Sequence, residues 1–321
     1  FEPAMWVAPF IAGKKSQLFH DHPDWFIKDK NGAPLCAADC TFGGWRDKPW
    51  YFLDPTHPEA ISYIKEVFRI MKYEWKVNYF KLDANVWGAM PFGVRYDNSV
   101  TGVEAYRIGM QAIWDAVGND PQNTYLLGCN APMWPSLGMV NGMRITYDIS
   151  RNIKFIKEIS KQCFYRNWMH NTLWINDPDC LVQADIIKSV LSVRNKSRKK
   201  VRKNKQSMYR YAAAFVRASG GMLLSGDRLY ALSEYDIDIL MKILHSERIA
   251  SKFNTDYSIG TTVCSDYIDY LVFNDRNEPR SFEICDKGRF INMFTNKTIE
   301  SKENLKINLS ANDAAWLRKY K

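Results

Sequence analysis

The chain contains no run of about 18 consecutive apolar residues, so a membrane-spanning helix is not expected. No CxxC pair occurs. Cys36 and Cys40 stand four apart, with no histidine or second cysteine pair to complete a zinc site. The histidines, at 20, 22, 57, 170 and 245, show neither HExxH nor any other ligand spacing, so no catalytic metal or other cofactor is expected. A glycine-rich phosphate loop after the first strand is also missing, which argues against a doubly wound nucleotide-binding sheet. The cysteine count is odd, at seven, and free thiols are the expectation. That favours cytoplasm without excluding a periplasmic or secreted location, because large secreted enzymes can also lack disulfides; no signal peptide is visible, which says little in a chain that begins at Phe1.

What is present is an ordinary globular composition, 46% hydrophobic and 25% charged over 321 residues, which suits one large domain and a small one. The net charge is +9, much of it in "RNKSRKKVRKNKQ", Arg194 to Gln206, expected to be a solvated, inserted loop. No base-stacking or groove-reading motif accompanies it, so nucleic acid is not an expected partner. Aromatic residues are plentiful, with 11 Trp, 17 Tyr and 17 Phe. They fit a large core, and some fit platforms for apolar sugar faces.

Short apolar runs alternate with helical periods. Strands are expected at "AMWVAPF", "NYFKLDA", "NTYLLGC", "GMRITYD", "NTLWIND" and "GGMLLSG". Helices are expected from Pro55, with the stripe Ile61, Ile64, Val67, Phe68 and Met71, and over Gly102–Val117, Asn152–Tyr165, Met208–Ala218 and Ser233–Ser246. Such alternation predicts an α/β fold with a buried parallel sheet. Polar residues recur just past strand ends, where a (β/α)8 barrel places its chemistry. The expected architecture is a (β/α)8 TIM barrel lacking its first two strands, residues 1–254 carrying strands 3–8. A small C-terminal antiparallel β-sandwich over 255–321 follows, from "DYIDYLVFND", "RSFEICD", "FINMFTNK" and "NLKINLSAND".

Glycoside hydrolysis needs two carboxyl groups flanking an anomeric carbon. Asp83, closing "YFKLD", is the candidate nucleophile. Lys81, two residues back, shares its face of the strand, where a cation would hold the carboxylate ionised; a plain interior ion pair is the alternative. Asp148, closing "MRITYD", is the candidate general acid/base, a role that asks for a raised pKa through burial or the field of Asp83. Arg144 precedes it by four residues and suits a substrate hydroxyl or the carboxyl itself. "WINDPDCL" puts Asp177 and Asp179 around Pro178, as a turn capping a following helix or as acceptors for sugar hydroxyls. Trp6 suits either the core or a stacking platform, and Cys129 a small buried residue.

Taken in order, "WVAPF", "LDPTHPEA", "YFKLD", "LLGCNAP-MWPSLGMVNGMRITYD", "LWINDPDCL" and "MLLSGD" resemble glycoside hydrolase family 36, the melibiase-like α-galactosidases, over about Trp6 to Leu244. The resemblance implies a barrel with a C-terminal β-sandwich and cleavage of terminal α-galactosides with retention, through a glycosyl ester on Asp83. It assigns acid/base catalysis to Asp148 and substrate binding to Lys81, Arg144, Trp6, Cys129 and Asp179. The implied partner is an oligosaccharide or glycoconjugate ending in α-galactose; a homo-oligomer is also compatible. Thr146-Tyr147 stands where Gly-Pro is expected, which bears on the leaving-group side. An α-N-acetylgalactosaminidase, a raffinose-synthase-like transglycosylase, and a non-catalytic sugar-binding relative or inactive fragment are the alternatives.

Overall fold

The computed structural model describes residues 1–183 and 199–321. They form two compact units, Phe1–Arg144 and Ile145–Lys321. The first holds strands β1 (Ala4–Val7), β2 (Ile11–Gly13), β3 (Trp50–Phe52), β4 (Tyr79–Leu82), β5 (Tyr125–Gly128) and β6 (Gly142–Arg144), with helices α1 (Gln17–Asp21), α2 (Pro58–Arg69) and α3 (Gly102–Ala116).

Strands β1, β4, β5 and β6 lie side by side in that order, all parallel. Helix α2 starts where Pro58 needs no amide partner and where the His57 side chain accepts the Glu59 amide. Its buried stripe is Ala60, Ile64 and Phe68, continued by Met71 in a π turn. Phe68 meets Phe80 of β4 with ring centroids 5.3 Å apart, so helix and sheet share this layer. A Thr101–Glu104 capping box opens α3. The segment after β1, where no further strand was expected, contains the antiparallel pair β2–β3, with Ile11 opposite Phe52 and Gly13 opposite Trp50.

The second unit holds α4 (Ile153–Arg166), β7 (Ile175–Asp177), β8 (Cys180–Leu181), α5 (Lys199–Ser219), β9 (Leu224–Ser225) and α6 (Glu234–Leu244). After them come β10 (Lys252–Phe253), β11 (Ile259–Val263), β12 (Tyr267–Asn274), β13 (Arg280–Ile284), β14 (Gly288–Asn292), β15 (Lys297–Ser301), β16 (Leu305–Leu309) and β17 (Asp313–Tyr320). β8 and β9 pair in parallel. The basic run divides: Arg194–Arg198 lies outside the described residues, and from Lys199 the chain is helix, where a loop up to Met208 was expected. Lysine and arginine are good helix formers, which outweighs their mutual repulsion here. "FINMFTNK" is two strands, β14 and β15, split by a turn that closes with Asn296 N–H donating to the Asn292 carbonyl at 2.8 Å.

The C-terminal sheet runs β10-β11-β12-β17-β14-β15, and β13-β16 form a second, two-stranded layer. Tyr270, Val272, Phe282, Ile284, Phe290, Leu305 and Leu317 form the core shared by the layers. All seven cysteines are free.

A buried ion cluster ties α5 to this sheet. Asp269 lies opposite Arg318 in the β12–β17 ladder and accepts from Arg318 Nε at 2.8 Å and Arg217 Nε at 2.9 Å. The aspartate is fully buried and both guanidinium groups nearly so. Two cations thus share one anion, and Asp269→Ala strands both. The expected cost is about 3–5 kcal/mol, read from urea unfolding. A loss below about 1 kcal/mol contradicts this account.

His170 gives the second unit a pH dependence. Its Nδ1 accepts the Asn176 amide at 3.2 Å and its Nε2 donates to the Arg248 carbonyl at 3.2 Å, which fixes the neutral tautomer. Burial lowers its pKa from 6.5. The unfolded chain therefore binds the proton more readily. The contribution to stability is complete above about pH 6.5 and is lost as pH falls through that value toward the lower folded one. Wild type is expected to lose unfolding free energy from pH 8 to 5.5. His170→Gln should flatten that slope, and an unchanged slope counts against the assignment.

Candidate active site

The parallel register decides which side chains meet. Trp6 lies opposite Lys81, Lys81 opposite Leu127, and Leu127 opposite Gly142. Side chains alternate between faces along each strand, so residues two further on share that face. Trp6 and Lys81 therefore share one face with Asp83, Cys129 and Arg144, the last three clustered at the carboxyl ends of β4, β5 and β6. Phe80 and Leu82 take the opposite, fully buried face. One row below, the rings of Tyr79 and Tyr125 stack 5.4 Å apart at an interplanar angle of 2°. Tyr125 also explains Gly142: a Cβ there would lie 2.3 Å from the tyrosine oxygen.

Asp83 is held on three sides. Its amide donates to the Val7 carbonyl at 2.8 Å, which continues the β1–β4 ladder past the strand. Its Oδ2 accepts the Trp6 indole N–H at 3.0 Å, and its Oδ1 accepts the Ala84 amide at 2.7 Å. Each oxygen takes one described donor, so lone pairs remain for a substrate. Ala84 is buried in the left-handed region (φ 54°), a conformation that alanine adopts only under constraint, and it turns the chain into a 3-10 segment, Asn85–Ala89. Asn85, buried, braces the corner by donating to the Leu82 carbonyl at 3.1 Å. Backbone at this turn sets the carboxylate's direction.

The expected Lys81–Asp83 ion pair is not formed among the described residues; Trp6 and a backbone amide serve the carboxylate instead. Trp6 is 51% exposed, which places it on a surface and not in a core. Cys129 is buried, with its amide donating to the Leu82 carbonyl at 2.7 Å and Arg144 Nη1 reaching its sulfur at 3.8 Å. Arg144 is buried too.

Asp148 belongs to the second unit, and its side chain is exposed. Its loop is pinned on both flanks. The Tyr147 amide donates to Gln162 Oε1 at 3.0 Å, and the Ile149 amide donates to Asp179 Oδ2 at 2.6 Å. Tyr147, at the position expected to carry proline, is 70% exposed. Asp179 is buried at φ 72°, and its amide donates to Asp177 Oδ1 at 2.8 Å. The Asp177–Asp179 turn is thus present, and the strand β8 follows it directly. Sequence reasoning missed Arg151 and saw Asp227 of "MLLSGD" only as one of the polar residues just past strand ends. Their ion pair, at 2.7 Å, fixes the chain three residues beyond Asp148, and Asp227 Oδ2 also accepts the Gln183 amide at 2.6 Å.

Among the described residues one group could gather metal ligands: Asp24, His57 and Glu59. His57 Nδ1 accepts the Glu59 amide at 3.3 Å, which leaves the proton on Nε2, 4.0 Å from Asp24. Glu59 Oε2 accepts the Trp25 indole at 3.0 Å. These bonds make it a capped helix start, and the protonated nitrogen opposes metal ligation.

No family model matches the chain. Its fold matches solved glycosidases. The α-galactosidase TtGalA from Thermus thermophilus, in complex with stachyose, is 24% identical with a TM-score of 0.57, over 75% of this chain and 49% of that one. The chain thus spans about half the length of that enzyme. A GH27 β-L-arabinopyranosidase from Geobacillus stearothermophilus, in complex with arabinose, is 14% identical with a TM-score of 0.70, over 99% and 74%. A maltogenic α-amylase, AmyB, from Thermotoga neapolitana is 14% identical with a TM-score of 0.62, over 100% and 78%. The likeness extends beyond the family 36 that the motifs resemble, since a GH27 enzyme matches nearly the whole chain. At these identities it establishes fold: the chain has an α/β fold with a parallel sheet, and a C-terminal β domain, like these glycosidases.

Proposed function

We propose that the chain is the catalytic part of a retaining glycosidase of the α-galactosidase type, related to family 36, acting on terminal α-galactosides. Residues 1–254 would carry the catalytic barrel and 255–321 the accessory β domain. The observation that carries this reading is the Asp83 carboxylate: set at a strand's carboxyl end, aimed by Trp6 and the Ala84 amide, on one face with Lys81, Cys129 and Arg144.

In the first step an Asp83 oxygen attacks the anomeric carbon while the glycosidic C–O bond breaks and Asp148 gives its proton to the departing oxygen. In the second, Asp148 takes a proton from water, whose oxygen displaces Asp83. Lys81 and Arg144 would donate to sugar hydroxyls, Trp6 would cover an apolar ring face, and Cys129 would pack beneath. Asp179 was expected to bind sugar; its bond to the Ile149 amide also suits it to position the Asp148 loop.

Retention has a direct readout. Proton NMR of the first product released from p-nitrophenyl α-galactoside should show the α anomer before mutarotation. Immediate β product means inversion, with carboxylates about 6.5–9.5 Å apart and not about 5–5.5 Å.

The near-full-length match to an arabinopyranosidase supports a second reading. β-L-Arabinopyranose is α-D-galactose without its hydroxymethyl group, so the same carboxylates would serve. Comparing kcat/KM on the two nitrophenyl glycosides separates them.

A further inference from the structure

The unit Ile145–Lys321 contains a cavity of about 680 Å³, a size typical of small-molecule sites. It is lined from α5, the start of α6, and β14, β16 and β17, and shares no residue with the proposed catalytic set. Its chemistry is specific. Arg210 is the only cation among the described lining residues, and Asp313 takes it up bidentately, Nε to Oδ1 at 2.9 Å and Nη2 to Oδ2 at 2.6 Å. Asp236 is committed to the Ser233 cap, accepting from its amide at 3.0 Å and its hydroxyl at 2.7 Å. Among the described lining residues no cation is left over for an anionic ligand, and Asp236 keeps one carboxylate charge.

Neutral hydrogen-bonding groups and ring faces remain. Asn292 Oδ1 accepts the Phe294 amide at 3.0 Å and Asn308 Oδ1 accepts from the Ser281 hydroxyl, which orients both NH2 groups as donors with no partner among the described residues. Gln183 is 5% exposed and its side-chain amide likewise lacks a described partner. Tyr235 offers a half-open ring and Phe294 an apolar wall. Carboxamides and one carboxylate beside aromatic faces, without a free cation among the described residues, suit a ring that is apolar on its face and hydroxylated at its rim. We propose that this cavity binds a neutral saccharide. The proposal rests on the lining alone and stands whether or not Asp83 is a nucleophile.

The test is hydrogen–deuterium exchange by mass spectrometry on the intact chain, with and without raffinose, and with galacturonate as an anionic control. Raffinose should slow exchange in segments 229–237 and 288–309, and galacturonate should not. Tyr235→Ala and Asn308→Ala alter exposed side chains, so folding should survive. Each should weaken this protection about tenfold in raffinose concentration and leave turnover of nitrophenyl α-galactoside unchanged. Absence of protection at saturating raffinose, equal protection by galacturonate, or protection that survives both substitutions overturns the proposal. An inactive protein that still shows the protection would refute the catalytic reading alone.

Discussion

Asp83→Asn is expected to reduce kcat on p-nitrophenyl α-galactoside by on the order of 10⁴-fold or more, with KM little changed. The substitution keeps size and planarity and removes the anion. An amide oxygen can still accept the Ala84 N–H that Oδ1 accepts now, at 2.7 Å. The nitrogen then faces the Trp6 indole, donor against donor, where Oδ2 now accepts at 3.0 Å. The fold should lose about 1 kcal/mol, one ordinary hydrogen bond, so circular dichroism and melting stay close to wild type. Loss of turnover without loss of fold is the signature of a group that attacks carbon. A variant retaining a tenth of wild-type activity would remove Asp83 from the chemistry.

Asp148→Ala should behave differently, because an acid matters only as far as the leaving oxygen needs a proton. On substrates with a poor leaving group, such as melibiose, kcat/KM should fall about 10²–10⁴-fold. On p-nitrophenyl α-galactoside the first step should survive and the second become limiting, since water then lacks its base. Azide, which needs no deprotonation, should restore turnover and yield α-galactosyl azide, because it displaces the β-linked Asp83 ester with inversion. Equal loss on both substrates, or no azide product, would make the exposed Asp148 a bystander.

Much of this site could be read from spacing. The two-residue step from Lys81 to Asp83 places both on one face because a strand alternates, and the observed register extends that face to Trp6, Cys129 and Arg144. What spacing could not supply was the partner of Asp83. The nearby lysine looked adequate, yet the donors are an indole 77 residues away in sequence and the amide of a left-handed alanine. Likewise Asp179 was visible as a turn, but its bond to Ile149 joins two chain segments that only tertiary structure brings together. Strand β17 was missed because it is buried on both faces over Asp313–Arg318 and therefore shows no alternation. The β2–β3 pair was missed because each strand is three residues long, too short to set a period.

Labelling with a fluorinated α-galactosyl fluoride that slows deglycosylation, followed by peptide mass spectrometry, tests the central claim most directly. The account predicts one glycosyl group per chain, esterified to Asp83. A label on Asp148 or Asp179, or steady turnover of the reagent with no labelled peptide, would contradict it.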